Sequence, residues 1–322
     1  MKIFIRIFIC ALLLLSSKVS IAQLYTFKNY DHTDGLILSS ILSVNESDDG
    51  YLWFGTDGAG LMRFDGKKMD YLQDIQGRTN RHVNSITFND QGDVLFSTQY
   101  RGIFKLQYNQ INRIDSIEAK GQNQKVVHFR DDFVVVQDGS IVIYENENQK
   151  IEEQQIYPYD KSMHFYGSDI VENALFLFTS KGNFIVYDRK IIHLNEWLGT
   201  DENTTKDYSS VYKTGDSLVF INNELTQEMT VLMDDFRPKF FIRHQIEEED
   251  ILDSGEVVVK SDQRHDFCVY VTNYGRVITK NILSNDFSVL MNNSVKRIIS
   301  PSDIFIDRNR DCLLYTSPSP RD

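Results

Sequence analysis

Short apolar segments separated by polar turns recur along most of this chain, and helical periodicity is nearly absent. The segments are rich in Val, Ile, Phe and Tyr, whereas the turns between them contain Asp, Asn and Gly. Such a pattern predicts many short antiparallel strands. In the clearest unit we expect four strands, at residues 41–44, 51–55, 60–64 and 68–72.

The order of this unit returns about forty residues later. We expect its second copy to form strands at residues 83–88, 93–98, 102–106 and 111–114. Later units keep the spacing, with hairpins expected at 133–144 and 175–187 and marker strands at 217–221 and 256–260. In the first two units, equivalent positions are occupied by Gly50 and Gly92, Trp53 and Leu95, Thr56 and Thr98, and Leu61 and Ile103.

This spacing matches the length of a four-stranded propeller blade. One such sheet cannot bury both faces alone, and stacking blades around an axis covers each face with its neighbour. The sequence therefore predicts an all-β fold, a β-propeller of four-stranded antiparallel blades. We expect about six blades and the start of a seventh at residues 295–306, in an incomplete ring. A lone strand at 24–30 is expected to lack its partner or to pair near Ile304.

Residues 1–22 have the features of a cleavable secretory signal peptide. Lys2 and Arg6 precede an apolar run at 7–15, and a small-x-small cleavage site ends at Ala22. We therefore expect export, a mature N-terminus in the periplasm and no lipid anchor.

The last residues, 311–322, differ in composition from the rest of the chain. They match, residue for residue, the translation of a transposon-end adapter used in sequencing libraries, and we interpret them as adapter read-through rather than native sequence. The expected organisation is thus a signal peptide at 1–22, a truncated β-propeller domain at 23–310 and non-native residues at 311–322.

The charge and the cysteine content disfavour some binding partners and a disulfide. The formal net charge of -12 disfavours binding to nucleic acid through this region or to an anionic membrane face. Cys268 is the only cysteine in residues 23–310, so we expect no intrachain disulfide there, and stability must come from burial. We expect no cofactor.

The segment Gly50-Tyr-Leu-Trp-Phe-Gly-Thr-Asp-Gly-Ala-Gly-Leu-Met-Arg-Phe-Asp-Gly66 closely resembles the two-component regulator propeller repeat. Residues 25–36 also resemble the opening of such sensors in Bacteroidota. The resemblance is specific over about residues 24–106 and rests on period beyond them. The positions that we assign to the structural motif are Gly50, Trp53, Gly55, Thr56, Gly60, Leu61 and Phe64, with Gly92 and Gly102 in the second unit.

This resemblance implies a function. Family members continue through more blades, an immunoglobulin-like domain and a transmembrane helix to a histidine kinase or DNA-binding output. The chain is then the N-terminal periplasmic ligand-sensing propeller of a transmembrane two-component signalling protein, which responds to a glycan or related nutrient. The full-length protein would be anchored in the inner membrane through a helix downstream, and a homodimer is compatible with this reading. Because no signalling residues lie here, we assign no catalytic residue and expect no catalysis by this region.

Ligand contacts in propellers come mostly from loops at one mouth of the channel. Tyr100 and Arg101 form the best candidate pair, because an aromatic ring and a guanidinium group suit carbohydrate or carboxylate recognition. Further candidates are Gln99, Arg81, His82 and Asp57.

Other residues favour structural roles. Trp53 could stack on a sugar, but a buried position between blades is the favoured interpretation. The seven histidines show no metal-ligand spacing, so surface or packing roles are favoured over a zinc site. Residues 45–56 resemble a calcium loop only weakly, since Thr56 stands where the loop requires Glu. We assign no metal ligand.

Two other functions remain open from the sequence alone. One is a non-signalling propeller that binds a protein or surface glycan, as in accessory factors of type IX secretion. The other is a secreted propeller enzyme that acts on polysaccharide. A transmembrane helix and a kinase downstream would favour the sensor. A secretion-sorting domain would favour the non-signalling binding propeller, and carboxylates that converge in the channel would favour the enzyme.

Overall fold

The computed structural model describes residues 30, 34–36, 40–72, 82–115, 117, 124–147, 150–158, 163–201, 208–246, 251–264, 266–291, 301–308 and 312–316. Six four-stranded antiparallel sheets follow one another along the chain, and within each the strands lie in chain order. The first blade contains β1 (Ile41–Glu46), β2 (Leu52–Thr56), β3 (Leu61–Phe64) and β4 (Met69–Leu72). The second contains β5 (Val83–Phe88), β6 (Val94–Thr98), β7 (Gly102–Gln107) and β8 (Gln110–Arg113).

The remaining blades repeat this order. The third contains β9 (Lys125–Phe129), β10 (Asp132–Gln137), β11 (Ser140–Glu147) and β12 (Lys150–Pro158), and the fourth β13 (Phe165–Val171), β14 (Ala174–Thr179), β15 (Gly182–Tyr187) and β16 (Lys190–His193). The fifth contains β17 (Tyr208–Thr214), β18 (Ser217–Asn222), β19 (Gln227–Asp234) and β20 (Arg237–Gln245), and the sixth β21 (Val258–Arg264), β22 (Phe267–Thr272), β23 (Val277–Asn281) and β24 (Phe287–Met291). A two-stranded sheet follows, formed by β25 (Pro301–Ile306) and β26 (Cys312–Thr316), and one short helix, α1 (Leu194–Leu198), lies between the fourth and fifth blades.

The blades form a ring, as the sequence predicts. The innermost strand β25 contacts both β21 and β1, which places the two-stranded sheet between the sixth blade and the first. Glu46, at the end of β1, connects the first blade to both of these segments. Its carboxylate accepts hydrogen bonds from Nη1 of Arg264, in β21, at 2.8 Å and from the backbone N–H of Arg308, just after β25, at 3.0 Å. The predicted six blades and the start of a seventh are thus confirmed.

The core lies between blades rather than within them. Trp53 and Leu61 of the first blade pack against Ile86 and Phe96 of the second, and similar clusters join each later pair of adjacent blades. Strands β10 and β14 are buried at every residue, since a neighbouring blade covers each of their faces.

The repeat predicted for the first two blades is present residue by residue. Trp53 stands opposite Asn45 and Leu95 opposite Thr87, and the tight turns at Gly50 and Gly92 have the same hydrogen bond. Both glycines have positive φ, of 84° and 78°, which disfavours any residue with a Cβ.

Two features differ from expectation. The run at 256–260, expected as a marker strand equivalent to 217–221, contains the start of the innermost strand β21 instead, and the equivalent second strand of the sixth blade is β22. Periodicity alone cannot order two apolar runs of similar length. Helix α1 was not predicted, since five residues are too few to show a helical period. The expected signal peptide and all but Tyr30 of the strand at 24–30 lie outside the described residues.

Gly55 lies where the first two blades approach each other closely. A Cβ at this position would lie 2.5 Å from the backbone oxygen of Val83 and would also meet Ser43 Oγ. We expect Gly55→Ala to lower the free energy of unfolding by about 1–3 kcal/mol, because overpacking forces the backbones apart. Gly167→Ala is the matched control, since its nearest neighbour would be 3.9 Å away. Equal midpoints of urea unfolding for the two variants would contradict this interpretation.

A buried ion pair joins the fifth and sixth blades. Lys280 has a fully buried side chain, contacts the Glu228 carboxylate and lies 4.5 Å from the centre of the Phe287 ring. We expect Lys280→Met to cost about 3–5 kcal/mol, because it leaves a carboxylate without its cation. The double variant Lys280→Met, Glu228→Gln should recover much of this loss in chemical denaturation, and a double variant no more stable than the single would argue against the pairing.

Candidate functional site

The second strand of every blade ends in a buried polar residue. In the first blade, Thr56 Oγ1 donates to the carbonyl oxygen of Gly60 at 2.8 Å, and Thr98 and Thr179 bond Gly102 and Gly182 in the same way. These bonds fix the turn to the third strand, and thereby the direction of the residue that follows. The six residues are Thr56, Thr98, Gln137, Thr179, Asn222 and Thr272.

The residue after each of these is polar and at least partly exposed. In the first, second, fourth and sixth blades, its backbone N–H donates to the carbonyl oxygen of the residue that precedes the innermost strand, as from Asp57 to Ser40 at 2.8 Å and from Gln99 to His82 at 3.0 Å. It therefore lies at the channel end of its loop, at the same end of every blade. We name these six the mouth residues: Asp57, Gln99, Asp138, Ser180, Asn223 and Asn273.

Three of the predicted ligand residues meet at this mouth. The Asp57 carboxylate contacts His82 Nδ1, and the two backbones form a bridge between the first and second blades. Gln99 binds the carbonyl of the same His82. The structure thus groups Asp57, His82 and Gln99 at one junction.

Tyr100 and Arg101 follow Gln99 in the loop between β6 and β7, and both are exposed. Tyr100 has a φ of 64° and a side chain that is 60% exposed, so its ring is available at the mouth. Arg81 lies outside the described residues. Trp53 is buried between blades and donates from Nε1 to Ser47 Oγ at 3.0 Å, so no ring face is open for stacking.

Sequence reasoning missed two residues at the mouth end of β13, His164 and Tyr166. His164 precedes β13 as His82 precedes β5, and the backbone N–H of Ser180 bonds its carbonyl oxygen at 2.9 Å. The two histidines are two blade lengths apart in the sequence, and this spacing indicates equivalent positions on their blades. Tyr166 occupies a β-bulge in the innermost strand and is 45% exposed, and bulges can redirect a side chain.

The bulge itself is a repeated feature. The innermost strands of five complete blades and β25 each shift register near their start, and only β9 pairs regularly. Lys125 of β9 reaches the carbonyl oxygen of the bulged residue Asn84, and Ser261 Oγ bonds that of Ser209 at 2.9 Å. A neighbouring blade thus satisfies carbonyls that the bulge removes from the ladder.

Two carboxylates stand farther along the innermost strands. Asp169 accepts the backbone N–H of Val211 at 2.9 Å, and Asp262 that of Ile306 at 2.6 Å, each on the next blade. Asp169 keeps some contact with water, but protein surrounds it. This loss of solvation raises the pKa of Asp169 to about 7, and the charge of Asp262 raises it further while the bond from Val211 opposes the rise.

The described residues contain no group of three or more His, Cys, Asp or Glu side chains placed to hold a metal. Cys268 is buried, and burial raises the pKa of its thiol to about 12, so a thiolate nucleophile is disfavoured there. The mouth carries hydrogen-bonding side chains and the exposed ring of Tyr100.

Solved structures share this fold. The chain is similar to the extracellular domain of the hybrid two component system BT3049 from B. thetaiotaomicron, with a TM-score of 0.60 and 15% identity over 90% of this chain and 40% of that one. For the corresponding domain of BT4673 from the same organism, the TM-score is 0.58 and the identity 13%, over 86% of this chain and 39% of that one. For virginiamycin B lyase from Staphylococcus aureus, the TM-score is 0.54 and the identity 12%, over 83% of this chain and 88% of that one. At these identities the likeness shows the fold alone.

The solved structures include the class of sensor that the sequence motif resembles, and this chain spans about two fifths of the length of those B. thetaiotaomicron domains. No family model matches the sequence, and a comparison with curated proteins finds no match. Within the described residues, no helix is long and apolar enough to cross a membrane.

The carboxyl group of Asp169 predicts a pH dependence of stability. Its pKa lies near 3.8 in the unfolded chain and is about 7 in the folded protein, so the folded state holds the proton to higher pH. The free energy of unfolding should therefore fall as pH rises through this window and level off above it.

Asp169→Asn keeps an acceptor for the Val211 N–H but cannot titrate, and it should flatten this slope in urea unfolding measured across the window. Asp235→Asn, in the exposed turn between β19 and β20, is the control that should retain it. An unchanged slope in Asp169→Asn would show that other groups cause the dependence.

Proposed function

We propose that this chain is the ligand-sensing propeller at the N-terminus of a transmembrane two-component signalling protein, and that it responds to a glycan or related nutrient. The motif at residues 50–66 and the shared fold of extracellular sensor domains support this proposal. A cleavable signal at 1–22 would deliver the propeller to the periplasm, and the kinase or DNA-binding output would lie beyond this chain.

The observation that carries the proposal is the polar mouth of the channel. Carboxylate, amide and hydroxyl groups stand at equivalent positions on all six blades. Such groups donate and accept hydrogen bonds in the combinations that a polyhydroxylated ligand needs. Tyr100 and Tyr166 add exposed aromatic rings, which supply apolar contact with the faces of sugar rings.

Arg101 and the hydrogen-bonded pair of Asp57 and His82 would determine the orientation of the ligand. A guanidinium group binds hydroxyl and carboxylate oxygens through several parallel donors. Asp57 and His82 hold each other in place across two blades, so a ligand that bonds either residue would be sensed by both.

Binding of oligosaccharide fragments tests the proposal. We expect at least one member of a panel from α-glucan, xylan, mannan and arabinan to bind the purified protein in isothermal titration calorimetry. Tyr100→Ala should weaken that binding by about tenfold, because it removes an aromatic contact. Tyr108→Ala is the control, since Tyr108 is 92% exposed in the turn between β7 and β8, at the opposite end of the blade.

Equal losses in the two variants would contradict binding at the mouth. A folded protein that binds no fragment of the panel would contradict the glycan as ligand.

A further inference from the structure

The innermost strands line the channel, and one pair of neighbours stands apart. Strand β5 runs close to β1 and β9, and β17 runs close to β13 and β21, whereas β9 and β13 do not approach each other closely. Behind them the third and fourth blades are still packed together, since Val134 and Leu175 share a buried cluster. We name the space between residues 126–129 of β9 and 166–170 of β13, which opens on the channel, the inner gap.

Hydrogen bonds between innermost strands show the same division. The backbone N–H of Val211 in β17 donates to Asp169 of β13 at 2.9 Å, and side chains of β5 and β21 bind the strands that follow them in the same way. Among the described residues, no hydrogen bond joins residues 126–129 to β13. Strand β9 instead presents Val127 and Phe129 to the fourth blade, and neither side chain can accept a hydrogen bond.

Two residues of β13 direct backbone groups away from their own sheet. Ser168 stands opposite Leu177 as Val211 stands opposite Phe220, and both strands shift register at the same step before this pair. Because the Val211 N–H points out of its ladder, the equivalent N–H and C=O of Ser168 do so as well. The alternation of an antiparallel ladder gives the backbone of Ile170 the same direction. The edge of β13 therefore offers donors and acceptors to the channel.

Apolar side chains border these backbone groups. Ile170 lies on the face of β13 toward the third blade, because it stands opposite Leu175 of the shared cluster. It is nevertheless 57% exposed, and the bulged Tyr166, nearer the mouth, is 45% exposed. Within the part of the chain that the structure describes, no other innermost strand has an exposed large apolar side chain. The inner gap thus combines an aliphatic and an aromatic surface with unpaired peptide groups.

The length of the edge selects the occupant. It spans only Ser168 and Ile170, since the bulge at Tyr166 precedes it and the turn at Glu172 follows it. A strand contains about three or more residues, so an added peptide strand is disfavoured. An acetamido group on a sugar presents one N–H and one C=O, as a single peptide unit does, together with a methyl group. The sugar ring that carries it has an apolar face that suits an aromatic side chain.

We propose that the inner gap binds the acetamido group of an N-acetylhexosamine unit. The backbone edge at Ser168 and Ile170 pairs with its N–H and C=O, its methyl group packs on Ile170, and the sugar ring lies against Tyr166. This inference rests on the proposed function and deepens it, because it names the class of sugar that enters the channel below the mouth.

Matched disaccharides test the inference by isothermal titration calorimetry with the purified protein. N,N′-diacetylchitobiose and cellobiose share their linkage and differ in the acetamido groups that replace two hydroxyls. We expect the first to bind at least about tenfold more tightly. Ile170→Ala should reduce this preference about fivefold, because it removes aliphatic contact with the methyl group. Ile242→Ala is the matched control, since Ile242 is 48% exposed on the outermost strand β20, and it should leave the preference unchanged.

Ser168→Pro removes the backbone donor itself. Proline is tolerated where the N–H lies outside the ladder, so this variant tests the backbone hydrogen bond separately from the apolar contact. We expect it to weaken binding of N,N′-diacetylchitobiose by about tenfold, and a cooperative urea transition would show that the variant is folded.

Equal affinity for the two disaccharides, or an unchanged preference in Ile170→Ala, would overturn the inference. Binding of a fragment of the panel that Tyr100→Ala weakens would then show that only the acetamido subsite is wrong. Equal competition by N-acetylalanine methylamide, which carries peptide groups without a sugar, would assign the inner gap to a peptide instead. Absence of binding by every sugar would contradict the proposed function together with this inference.

Discussion

The whole structure depends on the need to cover both faces of each blade. A four-stranded sheet with apolar residues on both faces is stable only between two neighbours. Strands β10 and β14, buried at every residue, show that the middle of the ring has no solvent face. The requirement is greatest where the chain returns on itself, and there the buried carboxylate of Glu46 contacts both Arg264 and Arg308. Closure at that point combines apolar packing with ion pairing.

The same requirement confines variable chemistry to the ends of the blades. Residues between blades are constrained by contact, as Gly55 is by Val83 and Lys280 by Glu228. Residues after the second strands meet water at the mouth, whereas the buried threonines before three of them, Thr56, Thr98 and Thr179, hold the turns by hydrogen bonds. A ligand specificity can therefore change at the mouth without a change in the packing that holds the ring together.

The sequence predicted the parts of the fold that local pattern determines. Turn glycines with positive φ, such as Gly50 and Gly92, and the period between them indicated the blades and their order. The bulge that carries Tyr166 has no local signature, because it is set by the register between two strands. Local pattern predicts that Asp57, His82 and Gln99 lie in loops, but their meeting at one junction follows from the placement of adjacent blades. The spacing of His82 and His164 indicates their equivalent positions before the innermost strands, whereas their residue type alone does not.

The outer ends of the blades follow a different rule from the channel. Because blades radiate from an axis, their inner strands pack closely while their outer strands diverge, and each junction needs bulk at its rim. Leu72 of β4 and Ile111 of β8 supply bulk between the first two blades, and Trp197 with Phe236 supplies it between the fourth and fifth. Between the fifth and sixth blades, Phe240 and Val289 face each other's blade and are still about half exposed. An open rim is therefore not a consequence of ring geometry, since other junctions of this chain close it.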